Sequence, residues 1–339
     1  MSGGVDSSAA AALLREQGWD VIGVTLHLWD YEREGHAGRC CAPEDQYDAA
    51  RVCAALDVPH YTFDRRALFR EAVVDRFVRD YAEGRTPSPC VRCNESVKLG
   101  PLHALARRLG APYIATGHYA RIAPDGDHVA LRVACDRQRD QSYFLWPAPK
   151  EALAALLLPL GELTKAEVRR IAERHGLLNA HKPDSTDLCF VEGGAYADFV
   201  AARSAPRPGP IETLDGRVVG THQGVHAFTV GQRRGVGAAG APRYVLRIVP
   251  ERAAVVVGSA EEASTSTVHV TEVRWLTGQR PREVTVKLRY RHPGVRARVH
   301  TVEDASLTLI LDEGQRGVAP GQAAVLYDGD RVVAGGFIA

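Results

Sequence analysis

Met1-Ser2-Gly3-Gly4-Val5-Asp6-Ser7-Ser8 opens the chain and decides how the rest of it is read. Two glycines precede a turn that carries hydroxyls and one carboxylate, and an Ala/Leu run from Ala9 to Leu14 follows at once. That run is strong helix-forming sequence, and Gly18 is a natural stop. The loop therefore opens onto a helix N-terminus, whose N–H groups and dipole attract an anion. Gly3 and Gly4 allow the backbone to approach a ligand where a side chain would block it. Ser2, Ser7 and Ser8 add hydroxyl donors, and Asp6 can hold Mg²⁺ or cap the helix. An ordinary Ser/Asp cap is the plainer reading. The pattern S-G-G-x-D-S shifts the balance toward phosphate, although it lacks the lysine of the kinase and GTPase loop.

This loop resembles the PP-loop of ATP pyrophosphatases, enzymes that cleave ATP between the α- and β-phosphates to adenylate a substrate. In that family the loop follows a buried strand, whereas this chain begins at the loop. The expected sheet therefore lacks its first strand. Family members often carry a methionine here, so Met1 is compatible with an internal position in a longer chain.

At 339 residues, two or three domains are expected. The balance of 45% hydrophobic and 24% charged residues is that of an ordinary soluble protein. A net charge of +1 excludes a globally basic nucleic-acid binder but not a local basic patch. No run approaches a membrane span and no signal peptide precedes the loop, so a cytoplasmic protein without membrane contact is expected. Seven unevenly spaced cysteines do not make a secreted disulfide framework in a chain of this size.

Asp20 to Trp29 reads as a buried strand, Glu44 to Leu56 as a helix, Pro59 to Phe63 as a short strand and Ala67 to Tyr81 as an amphipathic helix. A further helix runs to Leu109, and Tyr113-Ile114-Ala115-Thr116 is a strand leading into Gly117-His118-Tyr119. Strands alternating with helices predict an α/β fold with a doubly wound parallel sheet, with ligands at the carboxyl ends of the strands. Val129 to Val133 is a hairpin arm, and Thr164-x-x-Glu167 is a capping box opening a helix to His175. From Pro206 the helical period gives way to short Val-rich alternating runs, which predict a small β-rich domain and a C-terminal β-barrel. The expected boundaries are a nucleotide-binding catalytic domain over 1–190, a β-rich domain over 191–258 and a barrel over 259–339.

Thr86-Pro87-Ser88-Pro89-Cys90-Val91-Arg92-Cys93-Asn94 is the second informative stretch. Its two thiols precede a helix expected at Glu95, whose N-terminus would favour a thiolate. A structural pair or half of a zinc site fits the spacing equally well. A third thiol lies in Lys182-Pro183-Asp184-Ser185-Thr186-Asp187-Leu188-Cys189-Phe190. Cys53, on the apolar face of a helix, and Cys135 are expected to be structural, and Cys40-Cys41 have no derivable role. His118 follows a strand end beside the nucleotide, where a hydrogen-bonded structural role is as ready an account as a catalytic one.

Taken with Asp140-Gln141-Ser142-Tyr143-Phe144-Leu145 and Gly231-Gln232-Arg233-Arg234-Gly235, these motifs resemble the bacterial tRNA-specific 2-thiouridylases over essentially the whole chain. The resemblance implies ATP-dependent thiolation of the wobble uridine of tRNA, with ATP, Mg²⁺ and a sulfur-donor protein or cysteine desulfurase as partners. It places the nucleophile at Cys93 and the persulfide-bearing cysteine at Cys189, with Asp6 serving catalysis at the loop. It assigns ATP contacts to Met1, Ser2, Gly3, Gly4, Val5, Asp6, Ser7, Ser8, Leu26 and Gly117. The target base would lie against Ser88, Pro89 and Cys90, and tRNA against Arg139, Asp140, Gln141, Arg289 and Tyr290.

Two positions depart from the family, which commonly has Asn and Asp where this chain has Ser88 and Cys90. A thiol in place of a carboxylate admits an iron–sulfur cluster on Cys90, Cys93 and Cys189 as an alternative to a persulfide resolved as a disulfide. Between Val268 and His300 eight Lys/Arg stand against Glu272 and Glu283, with Trp275 and Tyr290 nearby, which reads as a local RNA footprint or a solvated strand face. A non-catalytic tRNA-binding protein, and a PP-loop amidotransferase or ligase, are the competing readings of the whole chain.

Overall fold

In the computed structural model the described residues are 1–29, 43–126, 128–184, 188–191, 195–236 and 242–339. Cys40 and Cys41 lie outside them. The chain divides into two units, one made of Met1–Val74, Cys90–Gly194 and Asp330–Val332, the other of Asp75–Pro89, Ala195–Gly329 and Val333–Ala339.

The first unit is α/β. Helix α1 (Val5–Glu16) begins where the glycines end, with Gly4 at its N-cap in extended backbone. Its Ala9 and Ala10 are fully buried and pack with Val168 and Ile171 of the helix Lys165–Arg174. Alanine's small side chain permits that close approach at little entropic cost. Strand β1 (Gly23–His27) pairs in parallel with β2 (His60–Asp64), connected through α2 (Pro43–Ala55). Strand β3 (Ile114–Ala115) pairs in parallel with β6 (Leu156–Leu157). Between them in sequence stands the antiparallel hairpin of β4 (Ala120–Asp125) and β5 (His128–Val133), as the Gly126 turn predicts.

The capping box at Thr164 is complete, with the Glu167 N–H donating to the Thr164 hydroxyl and the Thr164 N–H to the Glu167 carboxylate. Two helices depart from a regular period. Residues Arg70–Val74 and Asn94–Leu99 wind as wider, π-type turns. Each lies within a longer run, Arg66 to Ala82 and Pro89 to Arg108, so the second helix starts at Pro89 rather than at Glu95. Proline suits a first helical turn because its missing N–H has no intrahelical partner there.

The second unit is β-rich. Strands β7 (Gly209–Thr213), β8 (Val218–His222), β9 (Tyr244–Val249) and β10 (Ala254–Gly258) form a four-stranded sheet in the order β8-β7-β10-β9. Strands β11 (Ser264–Trp275), β12 (Glu283–Lys287), β13 (Val295–Glu303), β14 (Ser306–Arg316), β15 (Ala323–Asp328) and β16 (Arg331–Ile338) follow in the order β11-β14-β13-β12-β15-β16. Pairing of β11 with β16 closes them into a six-stranded barrel. Closure pairs the two outer strands, β11 and β16, with each other. Alternation is plain in β13, where Val295 and Ala297 are buried while Arg296 and Arg298 face solvent. No helix among the described residues is long and apolar enough to cross a membrane.

Candidate active site

The opening loop owes its shape to Gly3, whose φ of +71° is one that other residues rarely adopt. A Cβ there would stand 2.3 Å from the Asp45 carbonyl oxygen, so the loop lies directly on α2. Serine hydroxyls then fold the turn on itself. Ser7 Oγ and Ser8 Oγ donate to the Gly4 carbonyl at 3.2 and 3.0 Å, and Ser2 N–H donates to Ser7 Oγ at 3.1 Å. Asn179 Nδ2 donates to both Gly3 O and Ser8 Oγ, fastening the loop from the buried side. Val5 and Ser8 face the interior, while Ser2 is exposed and Asp6 and Ser7 are half-buried at the surface of the first turn.

Two strands flank the loop. Met1 lies along β1, with its amino group donating to Val24 O and its carbonyl accepting from Thr25 Oγ1. Leu26, half-buried, sits at the carboxyl end of the same strand. Gly117, just beyond β3, touches the first turn of α1. A Cβ on it would lie 2.7 Å from the Asp6 carbonyl carbon and 2.8 Å from the Ser7 nitrogen. Glycine is therefore required at 117 for the strand end to meet the loop.

Asp6 does not cap α1, which has no side-chain cap bond. Its carboxylate accepts the Lys165 ammonium at 2.7 and 2.9 Å and the Tyr119 hydroxyl at 2.9 Å. Burial, followed by the Asp6 charge, pushes the Tyr119 hydroxyl well above the usual phenol range. Lys165 also reaches Asp184 Oδ1 at 2.6 Å, and Arg139 binds the other Asp184 oxygen at 2.8 Å. Burial works to raise the Asp184 carboxyl, but these cations outweigh it and hold the group below the ordinary carboxylate range. Asp6, a hard oxygen ligand with solvent access beside the loop, suits the Mg²⁺ that accompanies ATP.

The thiols are set by helices and aromatic packing. Cys93 ends the helix Pro89–Cys93 and is buried, while Cys90 lies in its first turn and is exposed. Neither gains a thiolate from the helix. Burial raises the Cys93 thiol against the pull of Lys98. Cys90 is solvent-reached yet crowded by protein, and that surround together with Cys93 pushes its thiol up to about 11. Cys189 is half-buried and not in a disulfide. Its neighbour Phe190 packs against Phe69 and Trp29, ring centres 5.7 and 6.2 Å away. Among the described residues no three His, Cys, Asp or Glu side chains form a group that could hold a metal ion.

Cys53 is fully buried, as the helix pattern implies. Cys135 is exposed beyond the end of β5, its thiol donating to Glu162 at 2.6 Å. His118 accepts or donates to Thr116 Oγ1 at 2.9 Å, and burial with the Lys98 charge lowers its pKa to about 3, so it is neutral at pH 7.

The expected RNA contacts divide by exposure. Arg139 is exposed, whereas Asp140 is buried and accepts Ala134 N–H, Ser142 N–H and Ser142 Oγ. The Tyr119 N–H donates to the Gln141 side-chain oxygen, and the Gln141 N–H donates to the Tyr119 carbonyl. Asp140 and Gln141 thus shape the turn that presents Arg139. In the second unit, Ser88 Oγ accepts the Ala323 N–H at the start of β15, and Gln322 donates to the Thr86 and Pro87 carbonyls. Ser88 thus lies in a loop tied to β15, and Pro89 and Cys90 open the helix Pro89–Cys93. Arg289 and Arg291 are exposed beyond β12, beside half-buried Tyr290. Arg280 stands over the Trp275 ring at 5.4 Å, and the ring itself packs against the barrel core.

Sequence reasoning did not single out Lys165, Asp184, Asn179 or Tyr119. Lys165 sits at the first position after the Thr164 cap, and that placement beside a recognisable helix start was the available signal.

Comparison with known proteins identifies the segments and relatives of the chain. The family described as tRNA methyl transferase HUP domain matches residues 1–193, its PRC-barrel domain residues 197–259, and the aminomethyltransferase beta-barrel domain residues 265–338. The tRNA-specific 2-thiouridylase MnmA of Sorangium cellulosum is 50% identical, covering 100% of this chain and 90% of that protein. The protein of the same name from Rhodospirillum centenum is 49% identical over 100% of this chain and 90% of its own. That of Roseiflexus castenholzii is 44% identical over 100% of this chain and 98% of its own.

Proposed function

The chain belongs to the tRNA-specific 2-thiouridylase family, and from that premise we propose that it replaces the 2-oxygen of the tRNA wobble uridine by sulfur at the cost of one ATP. The observation that carries this reading is the contact of Gly117 with Asp6 and Ser7, which brings a strand end and a helix N-terminus together at a glycine-shaped anion loop.

The 2-oxygen of uridine is a poor leaving group. It attacks the α-phosphorus of ATP and pyrophosphate departs, leaving an O-adenylated base. The loop, from Met1 to Ser8, holds the departing phosphates with backbone N–H groups, and Asp6 would hold a Mg²⁺ whose charge would offset theirs. Leu26 and Gly117 border the nucleotide.

The sulfur step follows. Cys189 carries a persulfide whose terminal sulfur attacks C2 of the base, and AMP leaves. Cys93, on giving up its thiol proton, then attacks the Cys189 sulfur, releasing 2-thiouridine and forming a Cys93–Cys189 disulfide. An external dithiol reduces that disulfide, and a sulfur-donor protein or cysteine desulfurase reloads Cys189. Ser88, Pro89 and Cys90 flank the base, splayed out of its loop, while Arg139, Arg289 and Tyr290 hold the RNA. Transfer RNA is a cytoplasmic substrate, and the cytoplasm is where this chemistry takes place.

The test is nucleoside analysis of tRNA after incubation with the protein, Mg·ATP and a persulfide donor. 2-Thiouridine with an equal amount of AMP supports the proposal. Pyrophosphate release with an ammonia-derived product would favour a PP-loop amidotransferase instead.

A further inference from the structure

The Lys165 ammonium has three hydrogens, and all three are in use. Two serve the oxygens of Asp6 at 2.7 and 2.9 Å, and one serves Asp184 at 2.6 Å. Among the described residues Asp6 accepts two of its three hydrogen bonds from Lys165 and the third from the Tyr119 hydroxyl, so a Mg²⁺ ion that takes both carboxylate oxygens displaces Lys165 from them. Whether Lys165 moves depends on how strongly Asp184 draws it, and Asp184 is shared. Its other oxygen is taken by Arg139 at 2.8 Å, with Arg169 at 3.5 Å from the first. Arg139 is the exposed member of the set, with 46% of its side chain accessible against 11% for Lys165.

We propose that Asp184 is a positioning residue that couples RNA engagement to the nucleotide loop, an inference that rests on the RNA-directed reading of this site. An RNA phosphate that takes up Arg139 removes one cation from Asp184. The carboxylate then attracts Lys165 more strongly, and Asp6 is freed for Mg·ATP. Without RNA, Arg139 satisfies Asp184 and Lys165 stays on Asp6. ATP is thus used when the substrate RNA is in place, which limits unproductive adenylation.

The arrangement predicts opposite effects of two substitutions on one binding measurement. The probe is Mg²⁺ with α,β-methylene-ATP, titrated calorimetrically with and without unmodified tRNA. In the wild-type protein tRNA should tighten nucleotide binding about five- to tenfold, a coupling of ordinary size. Asp184→Asn should leave nucleotide binding weak and insensitive to tRNA. Arg139→Gln should make it tight without any RNA, because Asp184 then draws Lys165 constitutively. A loss of packing would weaken binding in both variants, so the opposite signs separate positioning from damage, and melting curves confirm that each is folded. Undiminished coupling in Asp184→Asn, absent coupling in the wild type that nevertheless binds tRNA, or weakened binding in Arg139→Gln overturns the inference. Failure of the wild type to bind tRNA overturns the RNA-directed reading itself, and this inference with it.

Discussion

Lys165 spans both carboxylate oxygens of Asp6, 2.7 and 2.9 Å away, although 159 residues separate the two in the chain. The pair fixes the one charged side chain of the opening loop before any nucleotide arrives. Asp6→Ala should therefore abolish AMP formation while leaving tRNA affinity within about twofold, because the RNA contacts proposed are Arg139, Arg289 and Tyr290. Normal pyrophosphate release from that variant would remove the loop from the chemistry.

Gly117→Ala tests whether strand end and loop must touch. The new methyl would fall 2.7 Å from the Asp6 carbonyl carbon, where only backbone can yield. Overpacking of this kind costs about 1–3 kcal/mol of stability. Displacement of the loop should lower the adenylation rate by about 10²-fold. A folded variant with unchanged single-turnover adenylation would show that the contact does not position the phosphates.

The basic face should announce itself through salt. Arg289 and Arg291 are both exposed, and each phosphate they neutralise steepens the dependence of tRNA binding on ionic strength. Replacing both by alanine should reduce the log–log slope by roughly one to two, with weaker binding at low salt. An unchanged slope would place the RNA elsewhere.

His118 makes a prediction about pH. Burial and Lys98 lower its pKa to about 3, against 6.5 when free. Between those values the unfolded chain takes up a proton that the folded chain refuses, so stability should fall as pH drops from about 6.5 toward 3. His118→Gln should flatten that part of the profile. Parallel denaturation midpoints for the two proteins from pH 7 to pH 4 would mean that His118 protonates freely in the fold.

Local patterns were legible and distant partners were not. The loop, the capping box at Thr164 and the alternation of β13 each declare themselves within a few residues, because glycine conformations, caps and a period of two are short-range rules. The partners of Asp6 are invisible at that range. Lys165 is marked only by its place after the Thr164 cap and Asp184 only by the stretch leading to Cys189, and the packing of α1 on the helix Lys165–Arg174 is what brings the first of them to the loop. Asp140 shows the same limit, since the motif does not declare that its carboxylate accepts hydrogen bonds inside its own turn. The thiols of Cys90 and Cys93 read as helix-activated because the helix was expected to begin at Glu95. It begins at Pro89 and passes through a π-type stretch, which periodicity of 3.6 does not reveal.

The central claim is that one chain adenylates the wobble uridine and delivers sulfur through Cys189 and Cys93. It is tested most directly by quantifying 2-thiouridine and AMP in one reaction of tRNA, Mg·ATP and a persulfide donor. Wild type, Cys93→Ala and Cys189→Ala are compared. The account predicts one AMP per thiouridine in the wild type, and no turnover to 2-thiouridine in either variant while both still release pyrophosphate. Catalytic thiolation by Cys189→Ala, or thiouridine made by the wild type without AMP, would contradict it.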